Sequence, residues 1–280
     1  MKYKKLFSSF LFIIALCSLS VIFKSSVYIQ AKEIRVMIAT DFGVIKVKLY
    51  NETPLHRDNF VKLVKKHYFD SLLFHRVIQN FMIQGGDPDS KNAAPFIELG
   101  NGGPGYTIPA EFNSKLFHKK GVLAAARDGD LENPTQASSG SQFYIVQGRI
   151  YNDSTLNIEA KRITKMKLFN TIVNRNENAI LFKRYQTYTK SEQAVFMKDF
   201  EELINKEVEA ELPQAKLYTF TDEQIKTYKT IGGTPHLDES YTIFGEVYEG
   251  MEVIDEIAKQ NTDKNNRPLT DIRMKVSIIQ

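Results

Sequence analysis

The sequence predicts a mainly β protein, a closed antiparallel β-barrel with flanking helices and a long α-helical insertion. Short stretches rich in β-branched residues, joined by glycine-containing turns, occur before position 149 and again after position 231, as is typical of an antiparallel barrel. Between these positions glycine is absent, Lys and Glu are frequent, and apolar residues recur at helical spacing. We therefore expect a barrel domain over residues 32–280 that is interrupted by a helical insert over residues 149–231.

The N-terminal 31 residues have the pattern of a signal peptide or of an N-terminal anchor. Three lysines within the first five residues precede an almost uncharged apolar run over residues 6–23. Such a pattern is typical of a secretory signal. We expect an exported protein that is periplasmic, or anchored to a membrane and facing the periplasm. The sequence leaves open whether the leader is cleaved, lipidated at Cys17 or retained.

The charge of the chain gives little support for a nucleic-acid partner. The chain has 37 Lys and Arg against 33 Asp and Glu, and four of the basic residues lie in the N-terminal 31, so the remaining chain has 33 of each sign. Binding to nucleic acid depends mainly on excess positive charge. We expect protein segments as partners, no nucleic acid, and a monomer.

The first elements after the leader are predicted to be a hairpin and a helix. Residues 34–40 and 43–50 are strand-like and are joined by a short turn that contains Asp and Gly. Pro54 suits the first turn of a helix, which we expect to end near His67. Later strand-like runs lie at 72–78, 81–86, 121–127, 141–147, 241–247 and 272–279, and a short helix is expected at 251–259.

The predicted insert contains two signals for the start of a helix. Thr189 with Glu192, and Thr221 with Gln224, each match a capping box, in which the two side chains satisfy backbone groups of the first helical turn. We expect the second of these helices to run to about Lys229. The apolar face of the first would consist of Phe196, Phe200, Leu203 and Val208.

Three separated motifs carry the functional information. They are FHRVIQNFMIQGGDP over residues 74–88, SSGSQFYIVQG over residues 138–148, and GGTPHLDESYTIFGEV over residues 232–247. In these motifs and their order the chain resembles the cyclophilin family, over roughly residues 36–148 and 232–279. The resemblance implies a cyclophilin-type barrel and a peptidyl-prolyl cis/trans isomerase that helps exported proteins to fold.

The reaction that the resemblance implies needs no covalent intermediate and no cofactor. Rotation about an X-Pro bond is opposed by amide resonance, with a barrier of about 18–20 kcal/mol. An enzyme lowers this barrier when it binds the twisted amide better than either planar form. Arg76 is the expected catalytic residue, because a permanently charged, planar guanidinium can hold the carbonyl and donate toward the prolyl nitrogen.

The resemblance also implies a substrate-binding set around Arg76. Because side chains alternate along a strand, Met82 and Gln84 should share one face, as should Gln142 and Tyr144. We expect Gln84 to orient Arg76. The implied set is Phe81, Met82, Tyr144 and Leu237 around the proline ring, the amides of Gln84 and Gln142, Ala126 and Arg127 on the backbone-binding strand, and His236 and Tyr241.

Each of these residues also has an ordinary structural interpretation when it is considered alone. An arginine in a strand is usually exposed or ion-paired, and the aromatic and apolar residues would usually belong to a core. The ordered set of motifs favours the functional interpretation for Arg76 and the two glutamines, and less decisively for the aromatic residues. Phe143 faces away from Tyr144 and is expected to fill the barrel interior.

Several positions depart from the family pattern. His236 lies where many members have tryptophan, Arg127 where many have asparagine, and Tyr241 where many have histidine. Because a large indole donor is absent at His236, we expect weak binding of the cyclic inhibitor cyclosporin. The loop over residues 128–134 contains three acids that would favour basic or polar residues beside the substrate proline.

Other chemistries find less support in the sequence. The five histidines have no close metal-ligand spacing, so no metal is expected. The glycines at 85–86 and 100–105 lack the lysine and serine of a phosphate-binding loop, and Ser138 to Ser141 lack the glycine-flanked pattern of a nucleophile. Two alternatives to an isomerase stay open. One is a non-catalytic peptide-binding or chaperone module in which the barrel and the insert dock partners, and the other is a membrane-tethered structural subunit.

Overall fold

A computed structural model describes residues 33–185 and 187–280 of the chain. The predicted signal peptide or anchor, with the possible lipidation at Cys17, lies outside the described residues. The strands are β1 Ile34–Thr40, β2 Gly43–Leu49, β3 Arg76–Ile78, β4 Met82–Gly85, β5 Thr107–Ile108, β6 Val122–Ala125, β7 Ser138–Ser139, β8 Phe143–Val146, β9 Ile243–Glu249 and β10 Lys275–Ile278. The helices are α1 Pro54–Lys65, α2 Asp153–Val173, α3 Asn176–Tyr185, α4 Lys190–Glu211, α5 Asp222–Thr230 and α6 Met251–Ala258.

Eight strands form one antiparallel sheet in the order β10-β1-β2-β9-β6-β8-β4-β3, and β5 pairs with β7 in a second, two-stranded sheet. The expected closed barrel is wrong in this respect, because the edge strands β3 and β10 are not paired with each other. Instead, the segments that precede them exchange three hydrogen bonds, each at 2.9 Å: from Ser71 N–H to Met274 O, from Phe74 N–H to Ile272 O and from Met274 N–H to Leu72 O. In this antiparallel register Leu73 lies opposite Arg273, so β3 lies opposite residues that precede β10, and the sheet is a curled half-barrel.

The alternation of side chains along the strands divides the sheet into two packed faces. Ile83, Leu123 and Ile145 belong to the main core, which also takes apolar residues from α1 and α6. Phe143 is buried in the same core, as predicted. The intervening residues of the same strands, including Met82 and Tyr144, belong to a smaller cluster on the opposite face. The second face is the one that carries the predicted substrate-binding residues.

The first helix begins at Pro54, as predicted, and its start is stabilised by a carboxylate from a distant loop. Thr53 makes no side-chain capping bond. Glu111 accepts the backbone N–H groups of Leu55 and His56, at 3.1 and 3.0 Å. Because the first N–H groups of a helix have no partner within it, an acceptor here stabilises the helix.

Four helices, α2 to α5, lie within the region predicted as an insert. Both predicted capping boxes are present, at Thr189 with Glu192 and at Thr221 with Gln224. The predicted apolar face of α4 is partly wrong, because Leu203 is 40% exposed while Ile204 is fully buried. The buried residues of α4 are Phe200, Ile204 and Val208, which recur every four residues.

The helical region has two apolar clusters of its own. One joins the first half of α2 to α5, with Tyr228 fully buried at its centre. The other joins the second half of α2 to α3 and α4, and the loop residue Leu131 packs against it. Among the residues that the structure describes, no helix is long and apolar enough to cross a membrane.

Candidate active site

Three neighbouring strands bring the predicted polar residues together. Arg76 lies opposite Gln84 in the register between β3 and β4, and Gln84 lies opposite Tyr144 in the register between β4 and β8. Arg76 Nη1 donates to Gln84 Oε1 at 3.0 Å, and Gln84 Nε2 donates to Gln142 Oε1 at 3.1 Å. Gln84, which Gln142 holds in turn, therefore fixes one edge of the guanidinium. The other N–H groups of the guanidinium have no hydrogen-bond partner in the described part of the chain.

The amide chain ends in a loop that forms one wall of the site. Gln142 Nε2 donates to the carbonyl oxygens of Gly100 and Gly102, at 2.8 and 2.7 Å. The buried carboxylate of Asp87 accepts the N–H of Gly100 at 2.5 Å. Gly86, with φ of +95°, has room for no side chain, because a Cβ atom would lie 2.2 Å from Ser141 O. These contacts explain the glycine and aspartate at positions 86 and 87 of the first motif.

The guanidinium of Arg76 is half-buried beside an aromatic ring. Burial lowers the pKa of Arg76 from its ordinary value, yet an arginine stays protonated at physiological pH. The ring centroid of Phe81 lies 5.9 Å from the guanidinium carbon, within the distance of a cation–π contact. The site therefore combines a permanent positive charge with an apolar wall.

A cavity of about 230 Å³ opens beside this guanidinium. Its lining includes nine of the predicted site residues, namely Arg76, Phe81, Met82, Gln84, Ala126, Arg127, Tyr144, Leu237 and Tyr241. Gln142 instead lines a larger neighbouring cavity, of about 600 Å³. The two cavities share Gln84, Gly100, Asn101, Ala126 and Arg127. A cavity with apolar side chains on one side and a fixed cationic donor on the other has the geometry needed to hold a proline ring and its carbonyl.

Arg127 and Tyr241 form a stacked pair at the edge of the cavity. The guanidinium carbon of Arg127 lies 4.5 Å from the centroid of the Tyr241 ring. Its Nε donates to Ser240 O at 2.8 Å, and its Nη1 lies 2.7 Å from the carboxylate of Asp130. These contacts hold the Arg127 guanidinium against the protein.

The backbone groups of Ala126 and Arg127, at this edge of the cavity, differ in their hydrogen bonding. Ala126 uses both of its backbone groups internally, because its N–H donates to Gln142 O and its carbonyl accepts from Ser139 N–H. The backbone groups of Arg127 have no partner among the described residues, so Arg127 is the better candidate to pair with a peptide.

A buried hydrogen-bond network supports Tyr144 from behind. Tyr144 Oη lies 2.9 Å from His118 Nε2, and His118 Nδ1 lies 3.1 Å from Asp238 Oδ1. The second oxygen of Asp238 accepts from the hydroxyl of Tyr228 at 2.7 Å and from Gln224 at 3.3 Å. Burial raises the pKa of Tyr144 well above its ordinary value, so its hydroxyl stays protonated. Helix α5 is thereby connected to the cavity lining.

Comparison with known proteins identifies the family. The family model described as "Cyclophilin type peptidyl-prolyl cis-trans isomerase/CLD" matches residues 35–180 and 221–278, which is more than half of the chain. The chain belongs to the cyclophilin family. It is a peptidyl-prolyl cis/trans isomerase by family, as the resemblance of its motifs implied. Residues 181–220, which the family model leaves unmatched, fall within the predicted helical insert.

Bacterial relatives and solved cyclophilins agree with this assignment. Proteins named "Putative peptidyl-prolyl cis-trans isomerase" from Staphylococcus aureus (strain COL) and Staphylococcus haemolyticus are each 28% identical, over 253 and 249 residues, and each match covers 87% of this chain and 90% of the relative. A cyclophilin type isomerase from Cryptosporidium parvum is 20% identical with a TM-score of 0.52, covering 89% of this chain and 99% of that one. A second structure of it, determined in the presence of the dipeptide Ala-Pro, has a TM-score of 0.51. These structures show the cyclophilin fold.

His236 lies behind the cyclophilin cavity rather than in its lining. Its ring stacks on Phe81, with centroids 5.4 Å apart, and its Nδ1 lies 3.9 Å from the carboxylate of Glu159 on α2. Burial is the main reason that the pKa of His236 is lowered to about 3. His236 therefore supports the Phe81 wall, and the weak binding of cyclosporin stays a prediction.

The acidic loop over residues 128–134 is less available to substrates than its sequence indicates. The carboxylate of Asp130 pairs with Arg127 at 2.7 Å and also accepts from Gln136. Because this charge is neutralised within the protein, the loop provides a weaker preference for basic flanking residues than three free acids would.

The cyclophilin cavity contains residues that sequence reasoning missed. His75, Leu99 and Asn101 also line it, and His118 and Asp238 lie behind it. Sequence alternation gives no reason to place His75 in the lining beside its neighbour Arg76. Both ring nitrogens of His75 are buried without a hydrogen-bond partner, and burial lowers its pKa to about 4. In the sequence, only the position of His75 next to Arg76 in the first motif could have indicated that it lies at the cavity.

Proposed function

We propose that this cyclophilin accelerates cis/trans isomerisation of X-Pro bonds in exported client proteins, with Arg76 as the catalytic residue. The observation that carries the proposal is the half-buried guanidinium that Gln84 holds beside the apolar side chains of the cavity. Fixed donors in a partly dry site stabilise developing charge more than the same donors in water, because they need no reorganisation.

The cavity walls would select the proline ring. Phe81, Met82, Tyr144 and Leu237 contribute apolar surface, and burial of a ring against such surface is favourable by about 25 cal/mol per Å². With the ring held in the cavity, the acyl side of the X-Pro bond is free to rotate. The site therefore grips one side of the bond without opposing the rotation.

The free N–H groups of Arg76 would stabilise the twisted state. When the amide twists, resonance is lost and the prolyl nitrogen regains its lone pair. A guanidinium that donates to the carbonyl or toward this nitrogen interacts more strongly with the twisted amide than with the planar forms. Each 1.4 kcal/mol of such preference is worth about tenfold in rate.

An exchange NMR measurement of a short X-Pro peptide tests the catalytic role. Arg76→Ala should lower kcat/KM by about 100-fold, the usual cost of removing one fixed donor at a site of developing charge, with little change in thermal unfolding. Arg35→Ala serves as the matched control, because Arg35 lies on β1 and pairs with Glu33 at 2.6 Å. If the Arg76 variant retained full activity, Arg76 would not be the catalytic residue. If the wild-type chain bound the peptide without turnover, a non-catalytic peptide-binding module would be favoured instead.

The exported context depends on the N-terminal sequence pattern. Basic residues followed by an apolar run support secretion. Mass measurement of the mature N-terminus, together with fractionation of the host cell, should find a chain that lacks about 31 residues or one that is retained at the membrane. A full-length chain in the cytoplasm would contradict the exported role and would leave the isomerase activity unaffected.

A further inference from the structure

A second cleft, of about 310 Å³, lies next to the proline cavity. Met166 and Phe169 of α2 form one wall, and the loop at Gly129 and Asp130 forms another. The stacked pair of Arg127 and Tyr241 lines both the cleft and the proline cavity. A peptide chain that leaves the proline cavity across this pair would therefore enter the cleft.

The walls of the cleft favour an uncharged occupant. Met166 and Phe169 are both half-buried, so they present apolar surface without being sealed in the core. The charged residues of the lining are paired within the protein. Arg127 pairs with Asp130, Arg162 lies 3.8 Å from Glu159, and Lys165 lies 2.5 Å from Glu209.

The cleft is held in shape by contacts between the loop and α2. Leu131 packs against the apolar cluster that joins α2, α3 and α4. Asn170 and Asn174 both donate side-chain N–H groups to Pro134 O, at 3.1 and 3.0 Å. Because the walls are fixed before a ligand arrives, binding there requires little ordering of the protein.

We propose that this cleft is a subsite for a large apolar side chain that flanks the proline of a client segment. The inference rests on the proposed function, because it names a substrate preference of the same site. The helical region thereby acts as a specificity element, since α2 supplies the apolar wall next to the cyclophilin cavity.

Peptides that differ at one position test the wild-type preference. Ala, Leu or Phe is placed in turn before or after the proline, and kcat/KM is measured by exchange NMR. We expect Phe or Leu at one of these positions to raise kcat/KM about tenfold over Ala, which is the range that an apolar pocket provides. Equal values across the series would overturn the subsite while leaving the isomerase itself intact.

A charge placed in the wall tests where the preference arises. Met166→Lys should reduce the preference for Phe over Ala to less than about twofold and shift it toward a Glu-flanked peptide, with kcat/KM for the Ala peptide unchanged. Ile158→Lys is the matched control, because Ile158 lies on the same helix and is 62% exposed. Loss of the preference in both variants, or in neither, would overturn the inference.

A binding readout separates this inference from the proposed activity. The Phe-flanked peptide should shift the NMR signal of the Met166 methyl group, and the Ala-flanked peptide should not. A shift without turnover would support the subsite and contradict the isomerase. Turnover without a shift would contradict the subsite alone.

Discussion

At the scale of single residues, the site depends on amides that hold a cation. Arg76 is fixed by Gln84, Gln84 by Gln142, and Gln142 by two backbone carbonyls of the neighbouring loop. Each amide uses its oxygen as an acceptor and its nitrogen as a donor, so the chain has one direction. This chain of hydrogen bonds limits the positions that the guanidinium can adopt. Because the donor is already in place, less entropy is lost on reaching the transition state, and the activation free energy is lower.

Gln84→Met should break this chain of hydrogen bonds while keeping a side chain of similar length. Arg76 loses its acceptor and Gln142 loses its donor, so we expect kcat to fall about tenfold with a smaller change in KM, because the interaction matters most in the twisted state. Steady-state kinetics with an X-Pro peptide measures the effect. Gln260→Met, two residues beyond α6, is the control, because the Gln260 side chain donates to Glu256 O at an exposed site. An unchanged kcat would mean that Gln84 does not position Arg76.

At the scale of elements, the helical region is attached to the cavity by polar contacts as well as by apolar packing. The hydroxyl of Tyr228 on α5 donates to Asp238, which in turn contacts His118 behind Tyr144. Since all of these groups are nearly or fully inaccessible to water, each lost hydrogen bond leaves a buried partner unsatisfied.

Tyr228→Phe should destabilise the fold more than it affects catalysis. Removal of the hydroxyl takes one donor from the buried Asp238 carboxylate, for which we expect a loss of about 1–3 kcal/mol in the free energy of unfolding. Urea unfolding measures this loss. Tyr248→Phe is the control, because Tyr248 is exposed on β9, and it should change stability by less than about 0.5 kcal/mol. Equal small losses in both variants would show that the network contributes little.

At the scale of the whole molecule, buried histidines link stability to pH. Burial lowers the pKa of His75 to about 4 and that of His236 to about 3, and it lowers the pKa of His56 despite a hydrogen bond with Glu111. In the unfolded chain a histidine has a pKa of about 6.5. Between the two values the unfolded state binds more protons, so acid favours unfolding.

Above pH 7 these histidines should not make the free energy of unfolding depend on pH. Below about pH 6.5 they should make it fall. Each such histidine contributes a slope of about 1.4 kcal/mol per pH unit until its folded pKa is reached. Because carboxylates also titrate in this range, the test compares variants. In urea unfolding between pH 7.5 and 4.5, His236→Asn should show a smaller loss than the wild-type chain. His67→Asn, at an exposed site, should follow the wild type, and an identical slope in all three proteins would contradict the prediction.

Much of the local structure follows from the sequence alone. The hairpin, the helix that begins at Pro54, both capping boxes and the strands around Arg76 were predictable, because turn residues, caps and alternation act over a few residues. The family also follows from the sequence, since its motifs contain glycines and a buried aspartate that the backbone of this fold requires.

Tertiary structure decided the features that depend on contacts between distant segments. Three features depend on which elements pack together. Strands β3 and β10 are not paired with each other, α4 buries Ile204 rather than Leu203, and His236 lies behind Phe81. The same holds for the support of Tyr144 by His118 and Asp238, which lie 120 residues apart in the chain. Local patterns determine which face of a strand or helix is apolar, whereas only the packed fold determines what that face meets.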